Sequence, residues 1–192
     1  MKLLLHTCCA PCLSGCMEAL GEEKTDLLKP DLYWYNPNIH PYTEYCSRRD
    51  CLISFAGEEN LELLLEDEYG LRLFLDGLYD NKKGDEKIYI NNEDSRRCAY
   101  CYRLRLEKTA RTASEKGYEA FSTTLLVSPY QKHDLITQIA RECALTYGVD
   151  FFYHDFRPWY RKGQKRAREG GFYMQKYCGC IFSEEERYCH VQ

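Results

Sequence analysis

The sequence contains no long apolar run, which limits the classes of protein that it can encode. No stretch approaches the roughly 18 consecutive apolar residues that a transmembrane helix requires. The apolar start, residues 1–5, is too short for the core of a secretory signal, and His6 follows it directly. We therefore expect a cytoplasmic protein that has no membrane partner and works in a reducing compartment.

A large excess of basic residues is also missing. The chain has 26 basic and 30 acidic residues and a net charge of −4, which excludes a uniformly basic nucleic-acid binder but allows a local basic face. Apolar residues make up 44% of the 192 residues and charged residues 29%, as expected of a globular protein with one hydrophobic core. Because no linker or repeat divides the chain, we predict a single domain over residues 1–192.

Cysteine, in contrast, is abundant. The chain has 12 cysteines, and eight of them form three clusters: Cys8-Cys9-x-x-Cys12 with Cys16, Cys98-x-x-Cys101, and Cys178-x-Cys180. In a reducing compartment such clusters indicate metal binding or redox chemistry more than disulfides. Spacing alone leaves an iron–sulfur cluster, a structural zinc ion and thiol redox chemistry open. Adjacent cysteines favour the iron–sulfur cluster, since neighbouring thiolates can reach different iron atoms, and seven clustered thiolates indicate two centres.

Short apolar runs alternate with longer helical stretches along the chain. The predicted strands are residues 2–6, 31–35, 71–76, 120–124 and 149–154. The predicted helices are residues 11–20, 42–69, 96–116, 129–147 and 158–169. Residues 77–95 are polar and are predicted to be a loop or an insert. Helices of this length between strands predict an α/β fold with a mostly parallel sheet flanked by helices.

Chemically distinctive residues follow the predicted strands. Cys8 and Cys9 come after the first strand, and Asp155 and Arg157 come after the fifth. Ligands of parallel α/β sheets bind beyond the carboxyl ends of the strands, so these side chains predict a site at that edge. Asp155 is a candidate catalytic residue that orients a ligand or supplies a proton.

Six motifs occur in order along the chain: HTCCAPC at residues 6–12, YNPNIHPY at 35–42, RCAYCYRLRL at 97–106, STTLLVSPY at 122–130, DFR at 155–157 and YMQKYCGCIFS at 173–183. In this order and spacing they resemble the epoxyqueuosine reductases of the QueH family. The resemblance covers nearly the whole chain, from His6 to Ser183, and it is far more specific than a single C-x-x-C pair.

The resemblance implies a nucleotide α-hydrolase-like (Rossmann-like) sheet. It also implies reduction of the epoxide of epoxyqueuosine to queuosine at the wobble position of tRNA, without cobalamin. The implied cofactors are a [4Fe–4S] cluster and an adjacent mononuclear iron. The electrons would come from a donor that the sequence does not identify. The implied cluster ligands are Cys8, Cys9, Cys98 and Cys101. The implied iron ligands, which would act as catalytic residues, are Cys12, Cys178 and Cys180. The family pattern allows an aspartate at position 12, and the thiolate of Cys12 is likewise an anionic ligand.

A local basic stretch fits a tRNA substrate. Residues 157–176 contain seven lysines and arginines and one acidic residue, Glu169, and aromatic side chains are interleaved with them. Such a face can bind phosphates, and its aromatic rings can stack on unpaired anticodon bases. The predicted tRNA contacts are Arg157, Arg161, Lys165 and Arg168. A solvated helix face with core aromatics is the competing interpretation.

Two other functions compete with the reductase. An ATP-using tRNA enzyme needs a phosphate loop of the type S-G-G-x-D-S after the first strand, and residues 6–12 do not have it, so we expect no ATP. A non-catalytic zinc module that binds RNA is the second alternative. The iron and zinc contents of the protein distinguish that module from the enzyme.

Overall fold

The computed structural model describes residues 1–22, 29–79 and 95–189. Five parallel strands form one sheet in the order β3-β2-β1-β4-β5. The strands are β1 (Leu3–His6), β2 (Asp31–Trp34), β3 (Leu63–Leu65), β4 (Ala120–Thr123) and β5 (Asp150–Phe151). Helices connect them and flank the sheet, so the predicted α/β, Rossmann-like fold is confirmed.

Seven helices accompany the sheet in the described part of the chain. They are α1 (Ala10–Glu22), α2 (Tyr42–Glu58), α3 (Leu71–Tyr79), α4 (Ser95–Glu115), α5 (His133–Tyr147), α6 (Tyr160–Glu169) and α7 (Ile181–Tyr188). Two short 3₁₀ turns lie at Thr124–Val127 and Arg157–Trp159. None of the described helices combines the length and the apolar composition that a membrane span needs.

The third strand differs from its prediction. Residues 71–76 form the start of helix α3, whereas β3 lies inside the stretch 42–69 that was predicted to be helical. The apolar side chains of α3 recur at helical spacing, and Phe74 and Leu78 are buried against Cys101. Helix α2 ends at Glu58, and Asn60 then adopts a left-handed backbone conformation with φ of 55°, which turns the chain into β3.

Two further boundaries were predicted incorrectly. Helix α7 lies beyond residue 169, where the sequence patterns predict no helix or strand. The predicted loop 77–95 begins within α3, ends at the first residue of α4, and otherwise lies outside the described residues.

The core lies on both faces of the central strand. β1 pairs with β2 on one side and with β4 on the other, so all four of its residues are buried. Successive side chains of a strand point to opposite faces. Leu4 accordingly joins the cluster that contains Phe121 and Ile139, while Leu5 joins the one that contains Trp34 and Phe55. Each fully buried leucine stabilises the fold by about 2 to 3 kcal/mol.

Two glycines bring helices α1 and α6 into backbone contact. A Cβ atom added to Gly163 of α6 would lie 2.4 Å from the backbone nitrogen of Gly15 and 2.5 Å from its Cα. Only glycine therefore fits at position 163 while the helices remain this close. The contact fixes α6 beside the helix that carries Cys12, and so sets the position of one wall of the site described next.

Candidate metal centre

Three cysteine thiols meet where the central strand gives way to helix α1. Cys8 and Cys9 lie in the turn after β1, and Cys12 lies in the first turn of α1. The Sγ atoms of Cys8, Cys9 and Cys12 all lie within 4.8 Å of one another, and the three residues are buried. The Sγ atoms of Cys8 and Cys9 are 3.8 Å apart. Such a group of soft ligands can hold a metal ion or part of a cluster.

The pKa values of these three thiols are shifted in different directions. Hydrogen bonds from the thiols of Cys12 and Cys9 hold the pKa of Cys8 well below its usual range, and the Thr124 hydroxyl also donates to its Sγ over 3.3 Å. Burial raises the pKa of Cys9. Cys8 is therefore the thiol of the trio that most readily becomes an anionic ligand.

His6 precedes the trio at the end of β1 and is fully buried. Burial lowers its pKa to about 4, so the imidazole is neutral at pH 7. Its Nδ1 lies 2.9 Å from the hydroxyl oxygen of Thr123, which ends the neighbouring strand. The ring is thus anchored to the sheet and brings no positive charge to the thiols.

A second group of thiols comes from α4 and from the segment before α7. Cys98 and Cys101 lie on α4, and Cys178 and Cys180 approach the thiol of Cys101 from the segment before α7. Burial raises the pKa of Cys101 to about 12. Cys180 is buried beside it in a small apolar cluster, whereas Cys178 is exposed. Among the described residues, the structure therefore brings the thiols of Cys8, Cys9 and Cys12 within ligand distance of one another. Cys98, Cys178 and Cys180 are near enough to Cys101 to interact with it electrostatically, without forming an equally close group.

One cavity connects the two groups. Its volume is about 490 Å³, and the thiol-bearing residues that line it are Cys8, Cys12 and Cys178. The remaining lining residues are mostly polar, cationic or aromatic: Arg48, Leu125, Ser128, Tyr130, Gln131, Tyr160, Gln164, Gln175, Lys176, Tyr177 and Arg187. A cavity of this size can hold one small ligand or one nucleoside-sized group.

Two glutamines that the sequence interpretation missed donate hydrogen bonds to these thiols. The Gln175 Nε2 lies 2.9 Å from the Cys9 Sγ and 3.7 Å from the Cys12 Sγ. The Gln131 Nε2 lies 3.3 Å from the Cys178 Sγ, and the Tyr102 hydroxyl fixes this amide by donating to its Oε1 over 2.7 Å. The thiols of Cys9, Cys12 and Cys178 therefore each accept a hydrogen bond from a neutral side-chain amide. Both glutamines lie within or next to the family-like motifs, which was the available sequence signal.

Two buried arginines were also missed. Arg48 and Arg105 are each only 2% exposed. Arg48 donates from Nε to the Glu44 carboxylate over 2.7 Å, and its two terminal nitrogens hold the carbonyls of Tyr177 and Cys178 at 3.0 Å. Arg105 instead donates to its own helix and to a thiol, with 3.1 Å from Nη2 to the Cys101 Sγ. Arginines are almost never fully buried unless they are paired with other groups.

Asp155 and Arg157 pair with each other at the end of the sheet. The Arg157 guanidinium makes 2.7 Å contacts to both carboxylate oxygens of Asp155 and lowers its pKa to about 2. At neutral pH Asp155 is therefore a carboxylate without a proton to give. Neither residue is among the described residues that line the cavity. The catalytic role of Asp155 stays a prediction.

The other predicted tRNA contacts lie on α6, the helix that supplies Tyr160 and Gln164 to the cavity. Arg161, Lys165 and Arg168 are exposed, and Lys165 lies 3.8 Å from Glu169 on the same helix. Two other cations of α6 are engaged with acids of α1 and with the residue that follows α2. Lys162 contacts Glu18 and Glu22, and Arg166 contacts Glu18 and Glu59. The basic charge that remains for a partner is therefore on the outer face.

The topology and the cavity together define a Rossmann-like α/β protein with a thiol-rich candidate metal centre at the carboxyl edge of its sheet. A family model described as epoxyqueuosine reductase QueH matches residues 3–186. An epoxyqueuosine reductase QueH of Dehalococcoides mccartyi is 36% identical over 187 residues, which cover 97% of this chain and 94% of the relative. The protein of the same name from Thermotoga maritima is 35% identical over 190 residues, which cover 96% and 91%. The chain therefore belongs to the epoxyqueuosine reductase QueH family, a family of oxidoreductases, and the resemblance found in the motifs is confirmed.

Proposed function

We propose that this chain reduces the epoxide of epoxyqueuosine to queuosine at the wobble position of tRNA, the last step of that modification. The observation that carries the proposal is the cavity lined by Cys8, Cys12 and Cys178 in a chain of this family. Its volume of about 490 Å³ suits one modified base projecting from a tRNA loop. A zinc module that only binds RNA has no need of such a cavity beside its thiols.

The residues present fit an iron–sulfur cluster with an adjacent iron. The donor set consists of thiols, which suit both centres, and three of them lie within 4.8 Å of one another. We assign Cys8, Cys9, Cys98 and Cys101 to the cluster and Cys12, Cys178 and Cys180 to the iron. The proximity of Cys12 to Cys8 and Cys9 supports neighbouring centres.

The reaction consumes two electrons and two protons and releases one water molecule as the epoxide becomes an alkene. When bound, the cluster and the iron supply one-electron transfer and Lewis-acid chemistry. The chain itself supplies the cavity that holds the modified base and keeps it from bulk water. Burial raises the pKa of Tyr160, so its phenol keeps its proton at neutral pH and can donate a hydrogen bond to a substrate oxygen in the cavity.

Cations around the cavity support tRNA as the substrate. Lys176 and Arg187 line the cavity, and among the described residues no carboxylate pairs with Arg161 or Arg168 on α6. Phosphates of the anticodon loop can therefore meet cations on the same side from which the base enters. Tyr130 is 82% exposed and lies edge to face with Tyr160 at the cavity, where it offers a ring for a neighbouring base.

Substitution of ligands in each set tests the proposal. Cys98→Ala and Cys101→Ala are expected to lose the cluster and its visible absorption. Cys178→Ala and Cys180→Ala are expected to keep most of that absorption but to form no queuosine. The measurements are anaerobic iron and sulfide analysis, absorption spectra, and mass spectrometry of digested tRNA after incubation with a chemical reductant.

The matched control is Cys189→Ala, which removes an exposed thiol outside both ligand sets. It is expected to keep wild-type iron content and turnover. Equal loss of absorption in all four ligand variants would contradict the division into two centres. A colourless zinc protein without reductase activity would contradict the proposed function itself.

A further inference from the structure

Arg105 is a buried cation without a carboxylate partner. Its side chain is 2% exposed, and among the described residues no acidic group lies within ion-pair distance of it. Its hydrogen bonds go to Cys101, 3.1 Å from Nε to the carbonyl oxygen and 3.1 Å from Nη2 to the Sγ. The guanidinium also interacts electrostatically with Cys178 and with Cys8 of the other thiol group.

The potential anions around Arg105 are the cysteine sulfurs and the Tyr102 phenol. Burial raises the pKa of Tyr102, so its phenol keeps its proton and the sulfurs are the groups that can carry negative charge. A charged group in the interior is retained only when an opposite charge and hydrogen bonds compensate its loss of water. Cysteines become anionic when they ligate a metal. The guanidinium donates to Cys101 of one thiol group and interacts electrostatically with Cys8 of the other, so it can compensate charge that is shared across the whole centre.

Comparison with Arg48 shows what distinguishes the position of Arg105. It is equally buried and is also close to the thiols, but the Glu44 carboxylate neutralises it over 2.7 Å and its other nitrogens hold backbone carbonyls. The pair of Arg48 and Glu44 carries no net charge, whereas Arg105 keeps its full positive charge for the sulfurs.

We infer that Arg105 is the counter-ion of the iron–sulfur centre and a positioning residue that sets its reduction potential. This inference rests on the proposed function. A fixed positive charge in a medium of low dielectric constant stabilises the more negative, reduced form of a nearby centre. Hydrogen bonds to the ligand sulfurs act in the same direction and belong to the factors that set cluster potentials.

The test is the reduction potential of the full-length chain, loaded anaerobically with iron and sulfide. The wild type, Arg105→Gln and Arg105→Lys are titrated with dithionite in the presence of redox mediators, and the visible absorbance is followed. We expect Arg105→Gln to disfavour the reduced cluster at least tenfold, which is about 59 mV for a one-electron couple. Arg105→Lys keeps the charge and is expected to shift the potential much less.

Arg103→Gln is the matched control. Arg103 lies two residues earlier on the same helix, is exposed and pairs with Glu142 of α5, so its loss is expected to leave the potential unchanged. A loaded Arg105→Gln variant with the wild-type potential would overturn the inference and leave the proposed function intact. A wild-type chain that takes up no cluster would overturn both.

The lysine variant decides the outcome if Arg105→Gln does not retain a cluster. A loaded Arg105→Lys variant with nearly the wild-type potential would support the counter-ion role, because only the charge is common to the two side chains. A lysine variant that also takes up no cluster, or whose potential falls as far as expected for glutamine, would show that the hydrogen-bonding geometry of the guanidinium matters and its charge does not. That result overturns the inference.

Discussion

Replacement of Gly163 by alanine tests the contact between α1 and α6. The added Cβ would lie 2.4 Å from the Gly15 nitrogen and 2.5 Å from its Cα. Carbon atoms pack at about 3.5 to 4.0 Å, so the helices must separate by about 1 Å. Both atoms belong to the backbone, and no side-chain rotation can relieve the overlap. We expect a cost at the upper end of the roughly 1 to 3 kcal/mol that overpacking takes.

Alanine also favours a helix over glycine by about 1 kcal/mol, which offsets part of that cost. The net expectation for Gly163→Ala is a free energy of unfolding about 2 kcal/mol lower than that of the wild type. Urea unfolding monitored by circular dichroism gives this difference from the midpoint shift at constant slope. Because α6 contributes Tyr160 and Gln164 to the cavity, the same variant is expected to bind tRNA less tightly.

Gly57→Ala is the control for Gly163→Ala. Gly57 also lies within a helix, but a Cβ added there meets no atom within 4 Å, so only the helix preference remains. We expect this variant to be more stable than the wild type by about 0.5 to 1 kcal/mol. A Gly163→Ala protein that matches Gly57→Ala in stability would refute the close approach of the two helices.

Three further predictions concern charged groups. Asp155 has a folded-state pKa of about 2, below its ordinary value of 3.8, so its ion pair stabilises the fold above pH 4 and that contribution is lost as the pH falls through 2. Since the pair is exposed, Asp155→Asn is expected to lower the free energy of unfolding by less than about 1 kcal/mol at pH 7, and this difference from the wild type is expected to shrink towards pH 2 in urea titrations. A double charge reversal, Arg161→Glu with Arg168→Glu, is expected to weaken tRNA binding and flatten its salt dependence. The control Arg141→Glu on α5 is expected to leave both unchanged. Equal salt slopes for the wild type, the double variant and the control would show that the outer face of α6 is a solvated surface that does not bind tRNA. Glu44→Ala strands a buried guanidinium and is expected to destabilise the protein by about 3 kcal/mol, and an unchanged urea midpoint would show that the ion pair is not formed.

Sequence patterns predicted the sheet well where strands are buried on both faces. β1, β2 and β4 are short apolar runs between turn residues, and each was found within one or two residues of its predicted bounds. Residues 63–65 and 71–76 were harder, because a short apolar run fits a buried strand and a helix face equally. The left-handed Asn60 separates the two, and a left-handed residue leaves only a weak sequence signal.

The cysteines of the site were identifiable because metal ligands cluster along the chain. Their partners were not, because Gln131 and Gln175 meet thiols of distant segments only after folding, and so does Arg48 with the backbone of Cys178. Arg105 is the exception, because it follows Cys101 by four residues and so shares its helix face. That spacing is common on helices, so the sequence alone did not distinguish Arg105 from the other arginines of α4.

The candidate ligands come from three parts of the chain: the turn after β1, helix α4, and the segment before α7. The last of these parts is not in a helix or a strand, and Arg48 holds its backbone at the carbonyls of Tyr177 and Cys178. During synthesis by the ribosome, the thiols of residues 8–12 therefore exist long before Cys180 has emerged. A centre that uses all three parts can close only after Cys180 has emerged. Until then the thiols of residues 8–12 are without the other proposed ligands.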